Sequence, residues 1–226
     1  MKQPVIAIDG PAASGKSTVA ALVAQALGAL NVNTGAMFRA VTLAGMQRGI
    51  TTAAMCTEER FRDILDHITL TYATNADGKL ELQLDRDFPG AKLRSPEVAA
   101  LVSPVATLRC VRDYLKQWQR SLAGTHLLVM EGRDIGTAVF PDARWKYFIT
   151  ASPEERARRR LNQSGETFTG ATLEQVAAEI AERDRIDSTR AIAPLKPAPD
   201  AVLIDTTGMT IEDVVEQITR QVRHEI

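Results

Sequence analysis

The chain has 226 residues, of which 45% are hydrophobic and 24% charged, an ordinary globular balance. A net charge of −1 supplies no global field for a nucleic-acid polymer or a membrane surface, and no apolar run approaches the roughly 18 residues of a membrane span. The two cysteines, Cys56 and Cys110, have no metal spacing. With no cleavable address ahead of the first strand-like segment, they read as buried thiols in a reducing compartment, and a cytoplasmic protein is expected.

In chain order, residues 5–8 form the first strand-like run, and a helix is predicted over roughly 16–28. A polar Asn33-Thr34-Gly35 turn opens a second helix. Between 67 and 84 the apolar period is two: Ile68, Leu70 and Tyr72, then Leu80, Leu82 and Leu84, with Asn75-Ala76-Asp77-Gly78 between them. This is a hairpin with one buried face. Ser103-Pro104 reads as an N-cap and first helical residue, with Leu108, Val111, Leu115, Trp118 and Leu122 as the stripe of the helix it opens. Further strands are expected at 127–130, 146–150 and 201–204, and a last helix at about 210–224. Thr172 to Gln175 has the pattern of a capping box. Strands alternating with helices imply a parallel sheet covered on both faces, and the hairpin reads as an insertion into it.

The stretch GPAASGKST, residues 10–18, fits G-x-x-x-x-G-K-[ST] in full between a strand and a helix. Its glycines let successive N–H groups turn toward phosphate oxygens, and the following helix adds its positive end. Gly10, Pro11, Ala12, Ala13, Ser14, Gly15, Lys16, Ser17 and Thr18 are therefore the candidate ATP site. Lys16 is the candidate for the β- and γ-phosphates, and Ser17 the candidate ligand of Mg2+, the expected cofactor. A plain glycine-rich turn is the alternative.

Arginines recur where a second phosphate would be bound. Arg39 lies in the first turns of the helix after Asn33. Arg133 and Asp134 follow the strand at 127–130, at the sheet edge where ligands bind in open α/β folds. Arg112 falls inside an apolar stripe, where a charge must snorkel or meet a partner. Arg183, Arg185 and Arg190 flank Asp187. For each of these, a solvated or self-satisfied surface charge is the competing reading.

With these residues together, the chain resembles the bacterial cytidylate kinases nearly end to end, through AIDGPAASGKST, NTGAMFRAVTL, LRSPEVAALVSPVA, EGRDIGTAVFPDA and RDRIDSTRAIAPLKPAPDAVLIDTT. The resemblance implies an α/β P-loop kinase fold with a five-stranded parallel sheet. It implies a core at 1–60 and 105–226, a nucleoside-monophosphate insert at 61–104 and a lid at 155–187. It implies transfer of the γ-phosphoryl of ATP to CMP or dCMP by a monomer with Mg2+. By motif match, Thr34, Arg39, Ser103, Arg112, Arg133, Asp134, Arg183, Asp187 and Arg190 are the implied substrate residues, with Lys16, Arg133 and Arg190 catalytic. Arg39, Arg133 and Arg190 resemble the monophosphate ligands, Ser103, Arg112 and Asp134 the cytosine readers, and Arg183 and Asp187 the sugar contacts. Family members often carry Asp where this chain has Asn33, and Tyr where it has Phe38. Rival readings are a kinase for another small acceptor, such as another nucleoside monophosphate, shikimate or dephospho-coenzyme A, and a nucleotide-dependent switch. The three histidines, His67, His126 and His224, lie outside every motif.

Overall fold

The computed structural model describes residues 3–124, 126–163, 167 and 170–225. These fall into two compact units. Residues 3–34, 119–124, 126–163 and 170–225 form the first, and 35–118 with Thr167 the second.

The first unit is built on β1 (Gln3–Asp9), whose residues Val5 to Ile8 have no exposed surface. A strand buried on both faces reads as a continuous apolar run, and β1 is the centre of the sheet. Helix α1 (Lys16–Leu27) follows, stopped by Gly28 in the left-handed region with its N–H on Ala24 and Gln25 carbonyls. Next comes β2 (Leu30–Asn33), a strand that the sequence reading did not separate from the turn at Asn33. It has four residues and only Val32 is buried, so it carries almost no apolar signal.

Helix α2 (Thr34–Gln47) leads into the second unit. Helix α3 (Glu58–Asp66) is capped by Thr57 and buries Phe61, Ile64 and Leu65. Strands β3 (Leu70–Thr74) and β4 (Leu80–Leu84) form the expected hairpin, with Leu70 opposite Leu84 and Tyr72 opposite Leu82. Helix α4 (Pro96–Val105) and helix α5 (Arg109–Ser121) complete that part of the chain.

The Ser103-Pro104 cap is corrected by this arrangement. Ser95-Pro96 opens α4 instead, with the Ser95 hydroxyl accepting from the Val98 N–H. Ser103 and Pro104 lie in the last turn of α4, and Pro104, lacking an N–H, precedes its end by one residue. The first amides of α5 are capped from far away: the Glu58 carboxylate accepts from the N–H groups of Arg109 and Cys110. No local pattern announces such a cap. Both cysteines are half-buried rather than buried.

The chain returns to the first unit through β5 (Leu128–Gly132), a turn at Ile135–Val139, β6 (Ala143–Thr150), α6 (Pro153–Leu161), α7 (Leu173–Thr189), β7 (Val202–Asp205) and α8 (Ile211–Glu225). The five strands are parallel in the order β2-β5-β1-β6-β7. Ile6, Ile8, Val129, Trp145, Tyr147 and Ile149 of the sheet pack against Val19, Val23, Val214, Ile218 and Val222 of α1 and α8. The capping box at α7 is present in both its bonds, between Thr172 and Gln175. No described helix is long and apolar enough to cross a membrane.

Candidate active site

The phosphate-loop candidates connect the centre of the sheet to α1. Gly10 has φ +155, and a Cβ there would collide with the Ile149 carbonyl. The loop therefore passes against β6 only because residue 10 has no side chain. Gly15 caps α1 at φ +87, and Ala13 also stands in the left-handed region at φ 57. A non-glycine residue there costs about 1–2 kcal/mol and persists only where the surroundings hold it. Ala13 packs on the small core of Ala157, Val176 and Ile180 from α6 and α7.

Arginines of α6 take the outward carbonyls of the loop. Arg156 donates to the Ala12 carbonyl at 3.2 Å, and Arg159 to the Ser14 carbonyl at 3.1 Å. Asp184 of α7 accepts from the Ala12 N–H and pairs with Arg156. Lys16 is 5% exposed and donates to the Pro11 carbonyl at 2.8 Å. Its ammonium is held well below the usual lysine value, first by burial and then by the Arg133 charge, with Glu131 opposing. Ser17 and Thr18 are exposed at the start of α1. Part of the expected lid, at 164–166 and 168–169, lies outside the described residues.

Arg133 and Asp134 follow the end of β5, and α7 brings Asp187 and Arg190 to them. Arg133 Nε lies 2.9 Å from one Asp187 oxygen, and Arg190 lies 3.5 Å from the other. Arg190 also reaches Asp134 at 3.4 Å and donates from Nε to the Ala193 carbonyl. Burial alone would raise the Asp187 carboxyl, but the Arg133, Arg183 and Arg190 guanidiniums outweigh it and hold it low. Lys16 senses Arg133, Arg183 and Asp187 as well, so these residues form one electrostatic group. Three guanidiniums and an ammonium face Asp134, Asp187, Glu131 and Asp9, whose carboxyl senses both Lys16 and Asp134. Several guanidiniums converging on one place suit phosphates.

Thr34 also belongs to this unit, its hydroxyl donating to the Glu131 carbonyl at 2.8 Å. In the second unit, Arg39 is buried and donates to the Leu93 carbonyl at 3.0 Å. Arg112 is 6% exposed; it donates to the Ala106 carbonyl, and its guanidinium stands 5.6 Å over the Phe38 ring. It meets partners rather than snorkelling, and Phe38 serves it as an aromatic face. Ser103 is buried near the end of α4.

The profile of the cytidylate kinase family matches residues 6–224. The chain belongs to the cytidylate kinase family. It is 46% identical over 97% of its length to a cytidylate kinase of Pelotomaculum thermopropionicum, and covers 96% of that protein. It is 47% identical to that of Desulforamulus reducens, covering 94% of each chain, and 42% identical to that of Thermotoga maritima, covering 96% of each. In fold alone it is similar to an uncharacterized protein of Eubacterium ventriosum, with a TM-score of 0.55 at 13% identity and 99% coverage of both chains.

Several residues of this cytidylate kinase family chain that shape the site were missed from sequence. Asp9, the last residue of β1, is 3% exposed and accepts from the N–H groups of Ile135 and Gly136, both at 2.8 Å. Burial pushes its carboxyl up to about 7, against the pull of those two N–H groups. A charge closing an apolar run was the available signal. Arg156, Arg159 and Asp184 lay in a stretch noted only as arginine-rich, and nothing local marks Thr206, whose hydroxyl and carbonyl accept from Arg159.

Oxygen atoms of the type Mg2+ takes occur among the site residues. The Ser14 hydroxyl and Glu131 Oε1 are buried with no hydrogen-bond partner among the described residues. An orphaned buried oxygen costs about 1–3 kcal/mol unless something fills the place. Hydroxyl and carboxylate oxygens are the hard donors Mg2+ takes, in small number beside substrate phosphates.

Proposed function

We propose that this chain transfers the γ-phosphoryl of ATP to CMP and dCMP, giving CDP and dCDP. The observation that carries this reading is the buried group of Arg133, Asp134, Asp187 and Arg190, electrostatically joined to the phosphate-loop Lys16. A nucleotide switch has no use for a second phosphate-binding set. An acceptor that is itself a phosphate does.

Gly10 to Thr18 are proposed as the ATP loop, with amides pointing inward and Lys16 on the β- and γ-phosphates. Ser17 would hold Mg2+, with the Glu131 carboxylate close to Lys16. When bound, the metal would neutralise charge on the triphosphate. Arg133 and Arg190 are proposed to grip the acceptor phosphate, with Thr34 beside them, and Arg183 and Asp187 the sugar. Asp134 is proposed to accept from the cytosine amino group. In the second unit, Arg39 is proposed as a phosphate ligand and Ser103 and Arg112 as base readers. The acceptor is already an anionic oxygen, so no general base or covalent nucleophile is required. Catalysis is positioning and charge neutralisation. Water is the competing acceptor, and 155–187 is proposed as a lid excluding it. A cytoplasmic monomer belongs to the same proposal, with gel filtration as its check.

The test is a steady-state assay with ATP, Mg2+ and a panel of CMP, dCMP, UMP and AMP. Turnover of the two cytidine acceptors well above the others is expected. Equal use of all four would sink the substrate reading, and ATP hydrolysis with no acceptor dependence would favour the switch.

A further inference from the structure

Asp9 has no part in the roles proposed so far, yet it is among the most constrained polar groups of the first unit. It ends the central strand, in register with Gly132 of β5 on one side and Phe148 of β6 on the other. The residue after it is Gly10, the first of the phosphate loop. Its two oxygens divide between two consecutive amides, Oδ1 on Ile135 and Oδ2 on Gly136. Those amides open a single wide turn over Ile135–Val139, and Asp134, the residue before it, supplies no side-chain cap. The first N–H groups of such a turn have no partner within it. Asp9 is that partner, from 126 residues away.

The Lys146 side chain also packs at this turn. A Cβ on Gly136 would stand 3.4 Å from Asp9 Oδ2 and 3.2 Å from Lys146 Cδ. The Lys146 ammonium is itself tied to the Pro141 carbonyl and to Asp200. The chain at Gly136 thus meets both the Asp9 carboxylate and the Lys146 stem. Arg133 and Asp134 are the two residues immediately before this turn, and they meet Asp187 and Arg190.

We propose that Asp9 is a positioning residue: it fixes the turn that carries Arg133 and Asp134 to the strand that ends in the phosphate loop, so that acceptor-side groups are set relative to the donor loop. This deepens the proposed function and rests on it. The physical requirement is strict, because a misplacement of about 1 Å in a reacting group costs roughly 100-fold in rate. One carboxylate bridging the two loops is a short mechanical path between them.

Asp9→Asn removes the charge, and its amide group sets a donor against one of the two N–H groups. The unmodified protein is first assayed with the acceptor panel, and its preferred acceptor is used throughout. For Asp9→Asn, kcat/KM for that acceptor is expected to fall at least about 30-fold, while KM for ATP moves less than about threefold. Backbone hydrogen exchange at 133–137 should accelerate without a matching change at α8. Asp9→Ala, which keeps neither bond, should lose more in the same sense. If Asp9→Asn does not fold, Gly136→Ala crowds the turn against the Lys146 stem, shifting the Gly136 amide relative to Asp9, and should give the same split at smaller size. Equal losses in the donor and acceptor constants would overturn the proposal. So would faster exchange at 133–137 with an unchanged acceptor constant. A protein that turns over no cytidine acceptor defeats the substrate reading alone, since the exchange measurement and the preferred acceptor still decide the role of Asp9.

Discussion

The phosphate loop and the β3–β4 hairpin are held in opposite ways. The loop at 10–16 is held by side chains remote in sequence: Arg156 and Arg159 on carbonyls, and Asp184 on an amide. The hairpin is held by its own ladder and by Asn75, whose side chain accepts from the Asp77 and Lys79 N–H groups. Its apolar face buries Leu70, Leu82 and Leu84 but leaves Leu80 53% exposed. The difference teaches where tolerance lies. A loop in a strained conformation needs many fixings, and each is a point of failure. A hairpin made by local bonds can lose a side chain and keep its shape.

The comparison predicts a graded series. Lys16→Ala should lower kcat by about 10²–10³-fold, the scale for loss of one preorganised stabilising group, with the circular dichroism spectrum unchanged. A near-normal kcat would remove Lys16 from the chemistry. Arg190→Lys keeps the charge but cannot reach Ala193, Asp187 and Asp134 together. Turnover of CMP should drop about tenfold or more, since hydrogen bonds to charged groups contribute about 1.5–3 kcal/mol each.

Asp134→Asn sharpens the site side of the comparison. Cytosine presents an amino donor where uracil presents an oxygen, so a carboxylate favours CMP by about tenfold or more, and the amide should narrow the CMP to UMP ratio. A common factor of loss on both acceptors would mean that Asp134 serves phosphate positioning instead.

A pH series probes Asp9. Its folded-state value near 7 lies above that of an unfolded aspartate, so its contribution to stability is full below about pH 4 and is lost as pH rises toward 7. Protonation also removes an acceptor from the turn. Acceptor KM should therefore worsen as pH falls through 7 while thermal stability does not, a divergence absent from Asp9→Asn. At the small end, Leu80→Lys on the hairpin should change stability by less than about 0.5 kcal/mol, measured by urea unfolding.

The sheet was legible because parallel strands buried on both faces are bare apolar runs, as at Val5 to Ile8. The hairpin was legible because its period is two over a single buried face. The loop from Gly10 to Thr18 was legible because its chemistry needs fixed spacing. What escaped depends on partners distant in sequence. Glu58 caps α5 across 51 residues, which is why Ser103-Pro104 was mistaken for that cap. Asp9 reads as a strand end until Ile135 and Gly136 are brought to it. Strand β2 escaped for want of burial.

The strand order has a consequence for how the protein is made. Strand β1 is the sheet's centre, yet its neighbours β5 and β6 are translated more than a hundred residues after it. At about 5–20 residues per second, the ribosome takes on the order of ten seconds to supply them. Through that interval the nascent chain carries Val5, Ile6, Ala7 and Ile8 with no sheet to enter, a sticky four-residue segment ahead of a glycine-rich loop. Pairings this distant are slow to form. Burial of the segment waits until β5 and β6 arrive on either side of it.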